Sequence, residues 1–495
     1  MRIFKKGTNK IYTMIMLTII TQVFILIRSS IIASKFGVGI EVDAFNFANN
    51  LTTVIASFIG AGVTTILIPN MVKEESRDSI NIFITIIYSL TIIIFSLMIF
   101  FRKSIIKVLS GVSDYEFITI SSNLIIIMVI TQLFTSITGV TNGILQSNGK
   151  FNRTKLVTLF TSVLMIVMLL VSNPLTIYKY NFMLLVVAIV NVIFQIAFTK
   201  QCDFKYKMKF DFKDETFRKM IVTFIPIILS TGIYQISLMI DTSIASRLGI
   251  GQVSILNYSN SIVGMLNMLF LSNIVSFLYP KIAIEIKSKN SQKLLFKYIT
   301  IINFTMSFIV LLMFVLGDDA IKLLYERGKF GGDISYSVFL CLIIYIVSLP
   351  ANGARELTYR YFYAQNDTFT PFKNSILASV VNIILSLFLS RSMGINGVVL
   401  GTTLSSYLSL TTILIRFKKK FGYKFNVKIQ VIRNFSIILI TFLSIIILLN
   451  VKQIFVISNI FIRGIVYFIF SSSVYLGLLV VQKYILDKIQ LSKSN

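Results

Sequence analysis

The chain alternates long apolar runs with short polar ones. Roughly fourteen runs are long enough to cross a hydrocarbon core about 30 Å thick as helix. They fall at residues 11–34, 44–69, 80–101, 117–146, 156–171, 181–199, 220–246, 253–280, 298–316, 336–364, 375–389, 395–416, 431–450 and 455–482. Runs of this length and number predict an all-α polytopic membrane protein rather than a soluble enzyme.

One stretch of this pattern occurs twice. Ile32-Ala33-Ser34-Lys35-Phe36-Gly37-Val38-Gly39 is echoed by Ile244-Ala245-Ser246-Arg247-Leu248-Gly249-Ile250-Gly251. Upstream, Gln22 has a counterpart in Gln235; downstream, Asn46, Asn49 and Asn50 answer to Asn257 and Asn260. Each copy predicts an apolar helix holding one charge, Arg28 or Asp241, then a cation, a Gly-x-Gly turn and a second helix rich in Asn and Ser. A second echo sets Asn148, Phe151 and Lys155 against Asn366, Phe369 and Lys373. An even number of predicted spans separates the copies, so both point the same way, and the halves are expected to be related by an axis along the membrane normal. The division is then 1–199 as an N-terminal lobe of six helices, 200–219 as a basic linker, and 220–416 as a C-terminal lobe of six. Residues 417–495 form two additional helices and a tail, outside the repeat and flanking a lipid-facing groove. Repeated membrane hairpins with an internal charge point to a transporter. Pro69 and Pro280 are expected to end the second helix of each hairpin, and Pro226 and Pro350 to bend their spans by freeing a carbonyl.

Charge adds orientation. The chain carries 47 Lys and Arg against 20 Asp and Glu, a formal net charge of +27. The cations gather at the N-terminus, in 200–219, 281–297 and 416–428, and in the tail. An even number of spans puts these on one side, and the excess of positive charge makes that side cytoplasmic, with both termini inside and the two Gly-x-Gly turns outside. Cations confined to loops between spans argue against nucleic acid as a partner. The basic start followed by an apolar run is read as a retained first helix. The chain has no His, and its two cysteines, Cys202 and Cys341, lie far apart, so neither a metal site nor a disulfide framework is indicated. No Walker motif, zinc motif or catalytic triad is present, so the expectation is a non-enzyme that needs no cofactor and is driven by the membrane potential or a coupled cation.

Ionisable residues inside spans are costly and mark functional positions or partners. Arg28 is either a cationic anchor in a water-filled cavity or half of an ion pair with Asp241. Asp241 is either an ion-coupling group or that structural partner. Asp43, at the outer end of the second span, is expected to cap its own helix or to take part in coupling. Glu356 and Arg360 are four apart and can pair on one helix face, which leaves Arg355 free. Arg463 is read as snorkelling or touching a lipid head group. Gly397 and Gly401 form a Gly-x-x-x-Gly pair that predicts a close helix contact. A cationic cavity rich in Asn, Ser, Thr and Gln suits an anionic, hydroxyl-rich ligand such as a sugar diphosphate on a lipid.

At these residues the chain resembles the MurJ/MviN family of lipid II flippases, within the superfamily of multidrug and polysaccharide exporters. The resemblance rests on Arg28, Phe36-Gly37, Asp43-Ala44-Phe45 and Pro69, on Gln235-Ile236-Ser237-Leu238 with Asp241-Thr242, and on Leu324 to Phe330. It rests most specifically on Arg355-Glu356 with Arg360, Phe362-Tyr363-Ala364, Asp367-Thr368 and Thr370-Pro371. It implies fourteen helices and an alternating-access flippase for an undecaprenyl-pyrophosphate-linked saccharide, lipid II first, in the bacterial cell membrane. Arg28, Arg355 and Arg360 would engage the pyrophosphate. Gln22, Asn46, Asn49, Asn50, Gln235, Asn257 and Asn260 would contact sugar, and Asp241, Asp43 and Glu356 would couple an ion or form structural pairs. The cell-wall synthesis machinery is an expected partner. The chain departs from the family at Gln22, Ser29, Thr52, Thr53, Ser57 and Ser261, where charged residues are common. The cavity is therefore less cationic than the family pattern. That keeps open a flippase for another polysaccharide repeat unit (capsule, exopolysaccharide or teichoic-type), and behind it a cation-coupled exporter of small amphiphiles.

Overall fold

The computed structural model describes residues 2–72, 77–202, 204–286, 288, 290–365, 367–423, 427–455 and 457–491. Among them there is no strand. Each apolar run becomes helix because only helix satisfies every backbone group within its own segment in hydrocarbon. The helices are α1 (Arg2–Phe36), α2 (Ile40–Val72), α3 (Arg77–Phe100), α4 (Arg102–Ser110), α5 (Tyr115–Ser147), α6 (Phe151–Val171), α7 (Ile177–Thr199), α8 (Glu215–Arg247) and α9 (Gln252–Leu266). After a π-helical segment (Asn267–Ser272) come α10 (Asn273–Ile284), α11 (Ser291–Tyr325), α12 (Gly332–Ile346), α13 (Leu349–Ala364), α14 (Phe369–Met393), α15 (Ile395–Phe421), α16 (Val427–Ile454) and α17 (Ile460–Leu491).

Eleven candidate spans among the described residues are long and apolar enough to cross a membrane. The three remaining apolar runs of the sequence are also helical, as α2, α8 and the series α9, π segment and α10. The π turn inside that last run is a local widening of the helix, which the apolar pattern does not encode.

The prolines act differently from one another. Helices α2 and α10 run past Pro69 and Pro280 to Val72 and Ile284, so neither proline ends its helix. Helix α8 is continuous through Pro226. Of these four, Pro350 alone sits at a break, at the start of α13, with Val347 and Ser348 in a turn between α12 and α13. That break is sealed by α15: Tyr407 donates to the Val347 carbonyl at 2.9 Å and Thr403 to the Ile344 carbonyl at 2.8 Å.

The chain forms two compact units, Met1–Ser254 with Arg327–Phe330, and Ile255–Glu326 with Gly331–Asn495. The first has one core around Phe47, Phe95, Leu124 and Ile125, and another around Phe83, Leu67 and Met220. In the second, an aromatic cluster centres on buried Phe417, ringed by Phe296, Tyr361, Phe362 and Phe421. There, α14 and α15 touch backbone to backbone. A Cβ at Gly397 would lie 2.2 Å from the Leu389 carbonyl oxygen, and one at Gly401 would lie 2.7 Å from the Ser386 amide nitrogen. The Gly-x-x-x-Gly spacing is thus a helix contact, as the sequence predicts.

Candidate functional site

The first unit holds Gln22 and Arg28 on α1, Asp43, Asn46, Asn49 and Asn50 on α2, and Gln235 and Asp241 on α8. Arg28 is half-buried, and among the described residues no acid pairs with it; Arg28 and Asp241 form no ion pair. Its Nε is buried without a hydrogen-bond partner. Asp241 and Gln22 are buried. Asn50 donates to the Thr242 hydroxyl at 3.0 Å, so one of the expected sugar contacts ties α2 to α8 beside Asp241.

Asp43 caps a helix, but not its own. Its backbone is already one turn into α2, donating to the Gly39 carbonyl at 2.9 Å. Its carboxylate instead accepts from the Gly251 and Ser254 amides, at 2.5 and 2.8 Å, and from the Ser254 hydroxyl at 2.5 Å. These are the unsatisfied donors at the start of α9, and a carboxylate there also meets the positive end of the helix dipole. The turn of one repeat is therefore locked by the acid of the other.

The first turn carries a second lock. Gly37 and Gly328 both take positive φ, 65° and 58°, and the Lys329 amide donates to the Ser34 carbonyl at 2.9 Å. A Cβ at Gly328 would fall 2.3 Å from that same Ser34 oxygen, so only glycine fits the approach. The Arg327-Gly328-Lys329-Phe330 motif is the piece that closes on the hairpin. In the other copy, Arg247 Nε donates to the Ser110 carbonyl at 3.1 Å, a cation at the C-terminus of α4.

The second unit holds Asn257 and Asn260 on α9 and Arg355, Glu356 and Arg360 on α13. Glu356 and Arg360 are paired at 2.8 Å, as their spacing predicts. Arg360 also lies over the Tyr279 ring at 5.5 Å. Among the described residues Arg355 has no acid partner; its guanidinium lies over the Tyr359 ring, 5.9 Å from the centroid. Asn374 holds that ring, donating to the Tyr359 hydroxyl at 3.0 Å and to the Ser409 carbonyl at 2.9 Å. Arg355 is thus oriented by an aromatic face, with no acid among the described residues to neutralise it.

Arg463 does not reach for lipid. It pairs with buried Asp319 at 2.5 Å, and Lys452 approaches the same carboxylate at 3.5 Å while donating to the Val315 carbonyl at 2.8 Å. This triad joins α11, α16 and α17. Sequence reading missed Asp319, whose partners lie more than a hundred residues away. The available signal was a lone cation at the end of each of the last two spans. Asp367 likewise caps α14, accepting from the Thr370 amide at 2.9 Å, and pairs with Lys420 at 2.5 Å. Burial raises its carboxyl, but the hydrogen bonds from Lys420 and Thr370 outweigh that and hold it below the usual range. Among the described residues no group of three His, Cys, Asp or Glu side chains could hold a metal.

Known proteins with this pattern are membrane transporters. A family model described as lipid II flippase MurJ matches residues 32–467. A probable lipid II flippase MurJ of Rickettsia prowazekii is 24% identical over 411 residues, 80% of each chain. One of Helicobacter pylori is 24% identical over 441 residues, covering 83% of this chain and 94% of its own. The solved structure of a lipid II flippase MurJ in an inward closed conformation superposes with a TM-score of 0.77 at 21% identity, over 94% of this chain and 99% of that one. An inward-facing multidrug resistance MATE transporter of the MOP superfamily gives 0.64 at 14% identity, over 80% and 98%. Both likenesses are of fold, and both folds are all-helical and polytopic. With the family match running from the first hairpin to the last helix, the chain belongs to the lipid II flippase MurJ family.

Proposed function

We propose that this chain is a flippase that moves lipid II, the undecaprenyl-pyrophosphate-linked precursor of peptidoglycan, from the cytoplasmic to the outer leaflet of a bacterial cell membrane. It does so by alternating access and performs no covalent chemistry on its substrate. The observation that carries the reading is the family match over residues 32–467, which favours lipid II over another polysaccharide repeat unit or a small amphiphile. In this reading the pyrophosphate is bound by cations without internal partners. Arg28 and Arg355 fit that role, because neither shares its charge with an acid among the described residues. Arg360 is the secondary ligand, since Glu356 already holds it. Asn46, Asn49, Asn260, Asn257, Gln22 and Gln235 offer amides to the sugars, and Asp241 is the ion-coupling group.

The termini face the cytoplasm, as the loop charges require. The membrane potential drives the step, because moving negative charge outward from a negative interior gains roughly 2.3 kcal/mol per charge per 100 mV. Enzymes of cell-wall synthesis supply the substrate on one face and consume it on the other. The test is complementation of a strain depleted of its lipid II flippase, with wild-type chain and Arg28→Ala compared at equal membrane abundance. Rescue by the first and not the second is expected. Failure of abundant wild-type chain would overturn lipid II as substrate, and rescue by both would remove Arg28 from the site.

A further inference from the structure

The segment between α7 and α8 is not a slack linker. Residues 204–213 read Phe204-Lys205-Tyr206-Lys207-Met208-Lys209-Phe210-Asp211-Phe212-Lys213, a strict alternation of apolar and polar side chains. The backbone forms neither helix nor strand across this stretch and bends at Phe212, and the Lys207 and Lys209 amides, two residues apart, both face α3, as the spacing of an extended chain requires. An extended chain sends alternate side chains to opposite faces, so one face is aromatic and the other cationic. The segment is fastened to the first three turns of α3. The Lys207 amide donates to Asn81 Oδ1 at 3.3 Å, the Lys209 amide to Thr85 Oγ1 at 3.3 Å, and the Tyr206 hydroxyl bonds Thr85 at 2.8 Å. Lys209 closes an ion pair with Asp78 at 2.5 Å. The one acid of the stretch, Asp211, accepts from the Lys213 amide at 2.8 Å.

This fastening sets the depth of the segment. Helix α3 is a candidate span beginning at Arg77. From Asp78 to Thr85 it rises about 10 Å, at 1.5 Å per residue. That interval matches the headgroup layer of one leaflet, roughly 5–8 Å thick, and the first edge of the acyl chains. At that level the apolar face is open: Tyr206 is 51% exposed, Met208 68%, Phe210 57% and Phe212 65%. Lys205, Lys207 and Lys213 are exposed beside it. Aromatic rings prefer the membrane interface, and clustered lysines there attract anionic headgroups.

We propose that residues 204–213 form an interfacial strap that binds the anionic lipid surface of the leaflet on the side of the basic loops. The aromatic face enters the acyl boundary, and Lys205, Lys207 and Lys213 engage lipid phosphates. The strap thereby anchors α3 and the chain leading into α8 to the membrane surface at one fixed depth. An acidic partner protein would meet the lysines but leave four apolar side chains in water, which is why the geometry favours lipid.

The chain contains no Trp, so Phe210→Trp introduces a single fluorophore at the centre of the strap. The full chain carrying it would be reconstituted in equimolar phosphatidylcholine and phosphatidylglycerol, with either lipid brominated near the carbonyl end of its acyl chains. Expected are a blue-shifted emission, shielding from aqueous iodide, and quenching by brominated phosphatidylglycerol about fivefold stronger than by brominated phosphatidylcholine, the preference of a single lysine near an anionic surface. Lys205→Gln/Lys207→Gln/Lys213→Gln, which spares the Lys209 ion pair, should equalise the two lipids while keeping the emission blue-shifted. Emission typical of water with full access to iodide would overturn the strap. Equal quenching by the two lipids in the unaltered background would overturn its selectivity for anionic lipid.

Discussion

Where α11, α16 and α17 meet, two cations share one carboxylate: Asp319 is buried and holds both Lys452 and Arg463. Among the described residues, Arg28 on α1 sits inside an apolar span with no acid near enough to pair with it, and Arg355 on α13 lies over the Tyr359 ring and pairs with no acid. The first arrangement spends its charge on itself. Each cation offsets the carboxylate's desolvation, and the Val315 and Ile457 carbonyls each accept one further bond from them. Such a knot fixes helix positions and has little left to offer a ligand. The second arrangement leaves an intramembrane charge without an acid partner among the described residues, which under the proposed function suits an arriving anion. Under the proposed function, the paired cations act as a fastening, and Arg28 and Arg355, with no acid partner among the described residues, act as the binding positions.

The largest expected contrast is between Arg28 and Asp319. Arg28→Ala should cut lipid II translocation roughly ten- to hundredfold, the weight of hydrogen bonds to a charged group. Its melting temperature in detergent should stay at the wild-type value; a clear loss of stability would move Arg28 into the class of Asp319. Asp319→Ala should do the reverse. It leaves two cations without their shared partner and should destabilise the fold by about 3–5 kcal/mol. Differential scanning of the purified variant checks this, and an unchanged transition would show that the knot fastens nothing.

A smaller effect is expected from Arg355→Lys, which keeps the charge but loses the planar group over Tyr359. A loss of about 0.5–1 kcal/mol in substrate affinity, a few-fold, is expected, and Arg355→Ala should lose more. Equal losses in the two variants would mean that charge is not what Arg355 contributes. Smaller still, Glu356→Gln should change stability by only about 0.2–0.5 kcal/mol, since the pair with Arg360 is half-exposed and spaced as a helical i, i+4 pair. It should improve substrate binding slightly by releasing Arg360; weaker binding would show that Glu356 itself orients the site.

The α14 cap gives a pH test of the same distinction. The Asp367 carboxyl is held below its usual range, so its contribution to stability is fully present above about pH 3.9, the unfolded value. That contribution is lost as the pH falls through the lower folded value. Asp367→Asn should therefore lower stability at neutral pH and make little difference in strong acid.

How much of this was legible in the sequence depends on the distance over which each feature is encoded. The apolar runs, the pair Glu356 and Arg360, and the glycines Gly397 and Gly401 are written within one or two helical turns; the fold makes the runs helical, with a π segment in 253–280 and a break in 336–364, and realises the pair and the glycine contact as read. Asp43 was legible as a cap but not as a cap of α9, because its acceptor role is set by a turn more than two hundred residues away. Pro69 and Pro280 look like helix ends locally, yet the flanking residues continue the helix through them. Asp319 looks like an ordinary acid at the end of a span; its partners are supplied by two later helices. The alternating stretch at 204–213 was legible as basic, but its extended form depends on Asn81 and Thr85 of a distant helix.

The backbone contact at Gly397 and Gly401 has a mechanical consequence. With the two main chains of α14 and α15 pressed together, neither helix can slide or roll past the other without collision. The pair is a stiff lever. Helix α15 of that pair also carries Thr403 and Tyr407, the two hydroxyls that brace the broken turn before Pro350.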